Sequence, residues 1–166
     1  SNICKDNNVR TYITLNTVIY DTELVAMRDI VDAAKENNIT AIIASDLSVI
    51  QYAYSVGMEI HMSTQTNITN IEVVKYYSQF ADVMVTAREL EIQQVKAITK
   101  AISEHNICGP SGRLVQIEVF AHGALCMAVS GKCYLSLDNL NSSANRGECL
   151  QQCRRKYTVT DKETGE

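Results

Sequence analysis

The 166-residue chain has no apolar run approaching the roughly eighteen residues that a membrane-crossing helix needs. Its N-terminus also lacks the order of a secretory leader, a basic stretch followed by apolar and then small residues. Together these absences predict a cytoplasmic chain with no membrane partner. Positive charge is not in excess: fifteen Lys and Arg stand against nineteen Asp and Glu, a formal net charge of -4. No global field draws in nucleic acid or an anionic membrane, so any anionic partner must be met locally. Proline occurs once, at Pro110 in the turn CGPSG. Hydrolase signatures are missing too. There is no HExxH, and GPSG around Ser111 is not the GxSxG elbow.

What is present is an apolar content of 46%, enough for the core of one domain. The chain is short for a closed eight-unit barrel of about 250 residues. Apolar, β-branched runs recur at Thr11–Ile19, Thr40–Ser45, Met58–Thr64, Ala81–Ala87 and Arg113–Ala121, and read as strands buried on both faces. Between them lie segments with helical spacing. These are Leu24, Met27, Ile30, Val31 and Ala34 after Asp21; Leu47, Ile50 and Tyr54 after Asp46; Ile71, Val74 and Tyr77 after Asn70; and Leu90, Ile92, Val95, Ile98 and Ile102 after Thr86. Strand and helix alternate about four times, which predicts parallel β/α units with right-handed crossovers. The expected fold class is α/β, a TIM-like parallel β/α barrel, present as an incomplete barrel of about five β/α units. Residues 1–166 form one partial barrel domain, with 138–166 as a cysteine-containing loop and charged tail. DNLNSSANRG, from Asp138 to Gly147, reads as a polar loop.

Polar residues recur where the strands end: Asn16; Ser45 and Asp46; Gln65 and Asn67; Arg88; His122 and Cys126. In a parallel barrel these positions gather on the catalytic face. For Asp46 and Asn67, capping the next helix is at least as good an account. Arg88 suits a carboxylate or phosphate. Cysteine is concentrated late, with four of the six, Cys126, Cys133, Cys149 and Cys153, in the last quarter of the chain. In a reducing compartment such clustering points to a metal or to redox work rather than to structural disulfides, while Cys4 and Cys108 read as simple thiols.

The segment EVFAHGALCMAVSGKCYLS resembles the signature of the collagenase-like peptidase family U32. Glu118, Phe120, Gly123, Ala124, Leu125, Cys126, Gly131, Cys133, Leu135 and Ser136 fill its ten defined positions. The resemblance extends upstream through TLNT, HMSTQTN and TAREL and downstream through GECLQQCRRKY. It implies a β/α barrel with two further units before the first strand seen here. Ser1 and Asn2 then read as the remnant of a cleaved tag, and DKETGE as cut from a longer protein. A partial barrel of this kind is expected to be inactive by itself and to self-associate through its open edge.

For the members implicated in oxygen-independent hydroxylation, the resemblance implies a 4Fe-4S cluster on cysteines and prephenate as the oxygen source. The substrates it implies are a tRNA or rRNA base or a quinone precursor. Carried over, Cys126, Cys133 and Cys149 match the first three ligands. Cys153 is the nearest candidate for the fourth, and some relatives use a cysteine further downstream. Arg88 would grip a carboxylate of the donor, with Asn16, Gln65 and His122 lining the pocket. Zinc is the alternative metal, since four thiolates also satisfy a tetrahedral ion, but C-x6-C, fifteen residues, C-x3-C lacks paired knuckles. A peptidase acting on peptides is the alternative activity, with Cys126 as nucleophile and His122 four residues before it. A protease needs one thiolate rather than four. A noncatalytic partner subunit is the third class. The basic run Arg154, Arg155 and Lys156 reads as RNA-contacting or as a solvated charge run, the latter slightly favoured.

Overall fold

Each expected strand forms, shortened to the part that a neighbour can pair. The computed structural model describes residues 2–165. A short helix α1 (Asn2–Asp6) leads into β1 (Tyr12–Leu15), α2 (Leu24–Glu36), β2 (Ala41–Ala44), α3 (Leu47–Ser55), β3 (Ile60–Met62) and α4 (Ile71–Tyr77). There follow β4 (Val83–Val85), α5 (Ile92–Glu104), β5 (Gln116–Glu118) and α6 (Leu135–Leu140). The helix starts have local causes. The Asp46 carboxylate accepts from the Ser48 amide at 2.9 Å to open α3, and Asn70 accepts from the amides of Glu72 and Val73, both at 3.1 Å, to open α4. Helix α5 starts at Ile92 rather than after Thr86. Thr86 is held in a parallel bridge to Ile68, and the Glu91 amide donates to Gln94 Oε1 at 2.8 Å just before the first turn.

The five strands form one sheet in the order β1-β2-β3-β4-β5, every pair parallel. Consecutive order with right-handed crossovers puts every connecting helix on the same face. The core has this one-sided form. Its strand members Ile42, Ala44, Ile60, Met62 and Met84, with half-buried Ile13, Leu15 and Ile117, share one side of the pleat. They pack against Met27, Val31 and Ala34 of α2, Val49, Ile50 and Ala53 of α3, Val74 of α4, and Ile98 and Ile102 of α5.

No crossover helix covers the other face. Register aligns Thr14, Ile43, His61, Val83 and Gln116 in one row across it. His61 is buried there, with Nε2 3.2 Å from Glu59 Oε1 and its ring 5.1 Å from that of Tyr12. Burial on both faces therefore holds for much of β2 to β4 but not for the outer strands. In β1, Tyr12 and Thr14 are exposed beside half-buried Ile13 and Leu15, and in β5 Gln116 and Glu118 flank half-buried Ile117. A parallel sheet wound on one side is compatible with the barrel expectation; β1 and β5 each pair with one strand and leave the sheet open. The polar stretch after Tyr134 also differs from the expected loop. Asp138–Leu140 complete α6, which stops where Asn141 turns left-handed at φ 51°.

Candidate functional site at the carboxyl ends of the strands

Parallel strands deliver their following loops to one edge of the sheet, and the polar residues of those loops meet there. Asn16, after β1, donates through Nδ2 to Ser63 Oγ at 3.3 Å and to Gln65 Oε1 at 2.9 Å, both after β3. Ser63 is buried and donates to the same Gln65 oxygen, while Ser45, after β2, donates to the Asn16 carbonyl at 2.8 Å. Three strand ends are thus joined by neutral amides and hydroxyls.

The chain after β5 returns over this layer. Gly131, at φ 73°, lies so near Gln65 that a Cβ there would come within 2.8 Å of its Cγ. Asn67, itself left-handed at φ 50°, donates to the carbonyls of Gln65 at 2.8 Å and Ser130 at 3.0 Å. It fastens the returning loop and does not cap α4; Asp46, by contrast, is the expected cap. Arg88 directs its three nitrogens at Ser130 Oγ and at the carbonyls of Ala128 and Cys126. Beyond α6 the chain is tied to the loop after β1. Arg146 donates from Nη1 to the Val18 carbonyl at 2.7 Å and to Glu23 Oε2 at 2.6 Å, binds Glu23 Oε1 through Nη2, and stacks 4.3 Å over the Tyr20 ring. This pairing holds the Glu23 carboxyl down to about 2, first through the Arg146 hydrogen bond and then through the Tyr20 amide.

Between these fastenings lies an open cleft of about 760 Å³. Of the strand-end residues singled out in the sequence, Asn16, Gln65, Arg88, His122 and Cys126 border it, whereas Ser45, Asp46 and Asn67 do not. Thr64 and Thr86 add hydroxyls, and Phe120, 63% exposed, also lines it. Cys133, Cys149 and Cys153 lie outside this lining. Side-chain hydrogen bonds nevertheless link the neighbourhoods of the cysteines in pairs. Arg154 Nη2, next to Cys153, donates to the carbonyl of Leu125, next to Cys126, at 3.3 Å. The Leu150 amide, next to Cys149, donates to Ser136 Oγ at 3.1 Å, in the segment that carries Cys133. An iron–sulfur cluster or a zinc ion needs the thiols themselves to converge. Among the described residues no three His, Cys, Asp or Glu side chains form such a group, so in this arrangement the donor type suits the cluster and the placement does not.

Sequence reasoning missed Ser63, Ser130, Asn145 and the Glu23–Arg146 pair. Asn145 Oδ1 accepts from the Cys133 amide at 3.0 Å, and its carbonyl accepts from the Val18 amide at 3.2 Å. Glu23 and Arg146 are 123 positions apart, and no local pattern announces such a pairing.

The model of peptidase family U32 matches residues 1–166. The chain belongs to peptidase family U32. Within the family it is similar to proteins with two kinds of name. It is 59% identical over 163 residues to a Porphyromonas gingivalis (strain W83) protein named "Collagenase", covering 98% of this chain and 39% of that protein. It is 35% identical over 153 residues to the 23S rRNA 5-hydroxycytidine C2501 synthase of Escherichia coli, covering 92% of this chain and 22% of the relative. The tRNA hydroxylation protein P of Escherichia coli is 29% identical over 153 residues, 90% of this chain and 32% of that protein. The U32 chain therefore spans less than half the length of each of these relatives. No solved structure matches it. No helix among the described residues is long and apolar enough to cross a membrane.

Proposed function

We propose that this U32 chain carries the substrate cleft of an oxygen-independent hydroxylation protein that acts on an RNA base, with prephenate as the oxygen donor and a barrel as the complete fold. The observation that carries the reading is the make-up of the cleft. Its lining includes the amides and hydroxyls of Asn16, Gln65, Thr64 and Thr86, together with the exposed ring of Phe120 and with His122. Single-stranded bases are recognised by stacking on such rings and by hydrogen bonds to their edges. The relatives named for rRNA and tRNA hydroxylation support the same class. Cys126, Cys133, Cys149 and Cys153 are the proposed ligands of a 4Fe-4S cluster, which when bound supplies redox chemistry. That role requires their paired segments to close up further. The protein's own residues would hold and orient the base: Gln65 is braced by Asn16 and Ser63, and Arg88 and Asn67 hold the wall that carries Cys126.

A nucleoside profile by mass spectrometry tests this. Deleting the gene is expected to remove one hydroxylated nucleoside from total RNA, and an unchanged profile rejects the reading. Peptide hydrolysis is the second reading, favoured by the name of the 59% identical relative. It needs Cys126 as a thiolate with His122 as its base, yet no hydrogen bond joins His122 to another described residue. Under it, Cys126→Ala alone would abolish gelatin cleavage, with Cys133→Ala and Cys149→Ala still active.

A further inference from the structure

Arg88 stands in the loop after β4 and borders the cleft, a position from which a guanidinium could meet a substrate anion. Its donors are directed elsewhere. Nε donates to Ser130 Oγ at 3.0 Å, Nη2 to the Ala128 carbonyl at 2.9 Å, and Nη1 to the Cys126 carbonyl at 3.5 Å. One planar fork thus meets three acceptors spread along a single short segment, a match that arginine provides and lysine does not. The far end of the segment is fixed independently. Ser130 is buried, its carbonyl accepts from Asn67, and Gly131 beside it rests on Gln65. Cys126, Met127 and Val129 are exposed, so side-chain burial does little to hold the segment in place. The polar fastenings are left to do it.

We propose that Arg88 is a positioning residue for Cys126: its guanidinium fixes the path of residues 126–130, holds that cysteine at the mouth of the cleft, and is not the group that meets a substrate anion. This goes beyond the functional reading above, because the same fastening would position Cys126 as a cluster ligand or as a nucleophile.

Backbone amide order parameters from NMR relaxation on the 166-residue chain test it. In the wild type, residues 126–130 should be as ordered as rigid backbone, about 0.85, and Arg88→Ala should lower them to below about 0.6. Residues of β2 and α3 should keep their wild-type values. Arg88→Lys should restore part of the order. Millimolar guanidinium ion added to the alanine variant should restore more by refilling the fork, a response that general loosening of the fold would not give. Malonate, as a dicarboxylate probe, should leave the wild-type order of this segment unchanged. Two results overturn the assignment: wild-type order at 126–130 in Arg88→Ala, or malonate lowering that order in the wild type by drawing the guanidinium away. If Arg88→Ala does not fold, Ser130→Ala removes one acceptor and should lower the same order parameters by a smaller amount. Wild-type values in that variant overturn the assignment equally.

Discussion

Glu23 receives the Arg146 guanidinium on both carboxylate oxygens and the Tyr20 amide at 2.9 Å, and its pKa falls from 4.5 to about 2. A carboxyl whose folded pKa is depressed contributes stability above its unfolded pKa and loses it as pH falls through the folded value. The contribution of this pair is therefore whole above pH 4.5 and disappears between there and about 2. Urea midpoints of wild type and Glu23→Gln should differ at neutral pH and converge across that window; a gap that does not depend on pH would contradict the assignment. Gly131 makes a second prediction at this scale. At φ 73° an alanine is strained, and its Cβ would also press on Gln65 at 2.8 Å. Gly131→Ala should cost about 2 kcal/mol or more in denaturant unfolding. Gly112, at φ 75° with open space around it, controls for the backbone effect alone, and Gly112→Ala should cost about 1–2 kcal/mol. Equal costs at both sites would mean that the loop yields at Gln65.

Single elements read well from the sequence where burial and local chemistry agree. Helix α3 has Asp46 as its cap and buries Val49, Ile50 and Ala53 toward the sheet. Ile50 is fully buried, so Ile50→Ala should lower stability by about 2–5 kcal/mol, measured by denaturant unfolding. Leu47, 48% exposed on the same helix, should lose well under half as much on replacement by alanine. The sequence misleads where a distant partner sets the boundary. Helix α5 starts late because Thr86 continues the sheet toward Ile68. Strand β5 begins at Gln116, whose amide reaches the Asp82 carbonyl at 2.8 Å. The preceding turn is fixed by Gly109, where a Cβ would meet Asp82 Cα at 2.8 Å, and by Ser111 donating to Asp82 Oδ1 at 2.6 Å. Nothing in CGPSG names Asp82 as its anchor.

For the whole molecule, the one-sided winding has a consequence for association. One sheet face is covered by four helices; the other presents Tyr12, Thr14, Ile43, Val83 and Gln116, and β1 and β5 are edges. Unpaired parallel edges beside a partly apolar face invite pairing with another chain. Sedimentation velocity should show a sedimentation coefficient that rises with protein concentration, and Thr14→Lys, placing a charge beside the β1 edge, should reduce the rise. A concentration-independent monomer would rule out the self-association proposed from the sequence. The sequence by itself determined the five parallel strands, the helices between them, the family, and the set of strand-end residues, because periodicity and capping are short-range and the signature is contiguous. It also placed the strand-end residues at one edge of the sheet, since parallel strands leave their loops no other edge to occupy; five of them, Asn16, Gln65, Arg88, His122 and Cys126, border the cleft. Only the tertiary structure decided how those residues are used. Arg88 holds a loop, Asn67 fastens the same loop instead of capping a helix, and Glu23 meets Arg146 across 123 positions. The physical reason is that donors and acceptors are assigned by proximity in space, which residue type and spacing constrain but do not fix. The cysteines mark the same boundary: their chemistry is legible in the chain, while their convergence depends on how the segments after β5 pack.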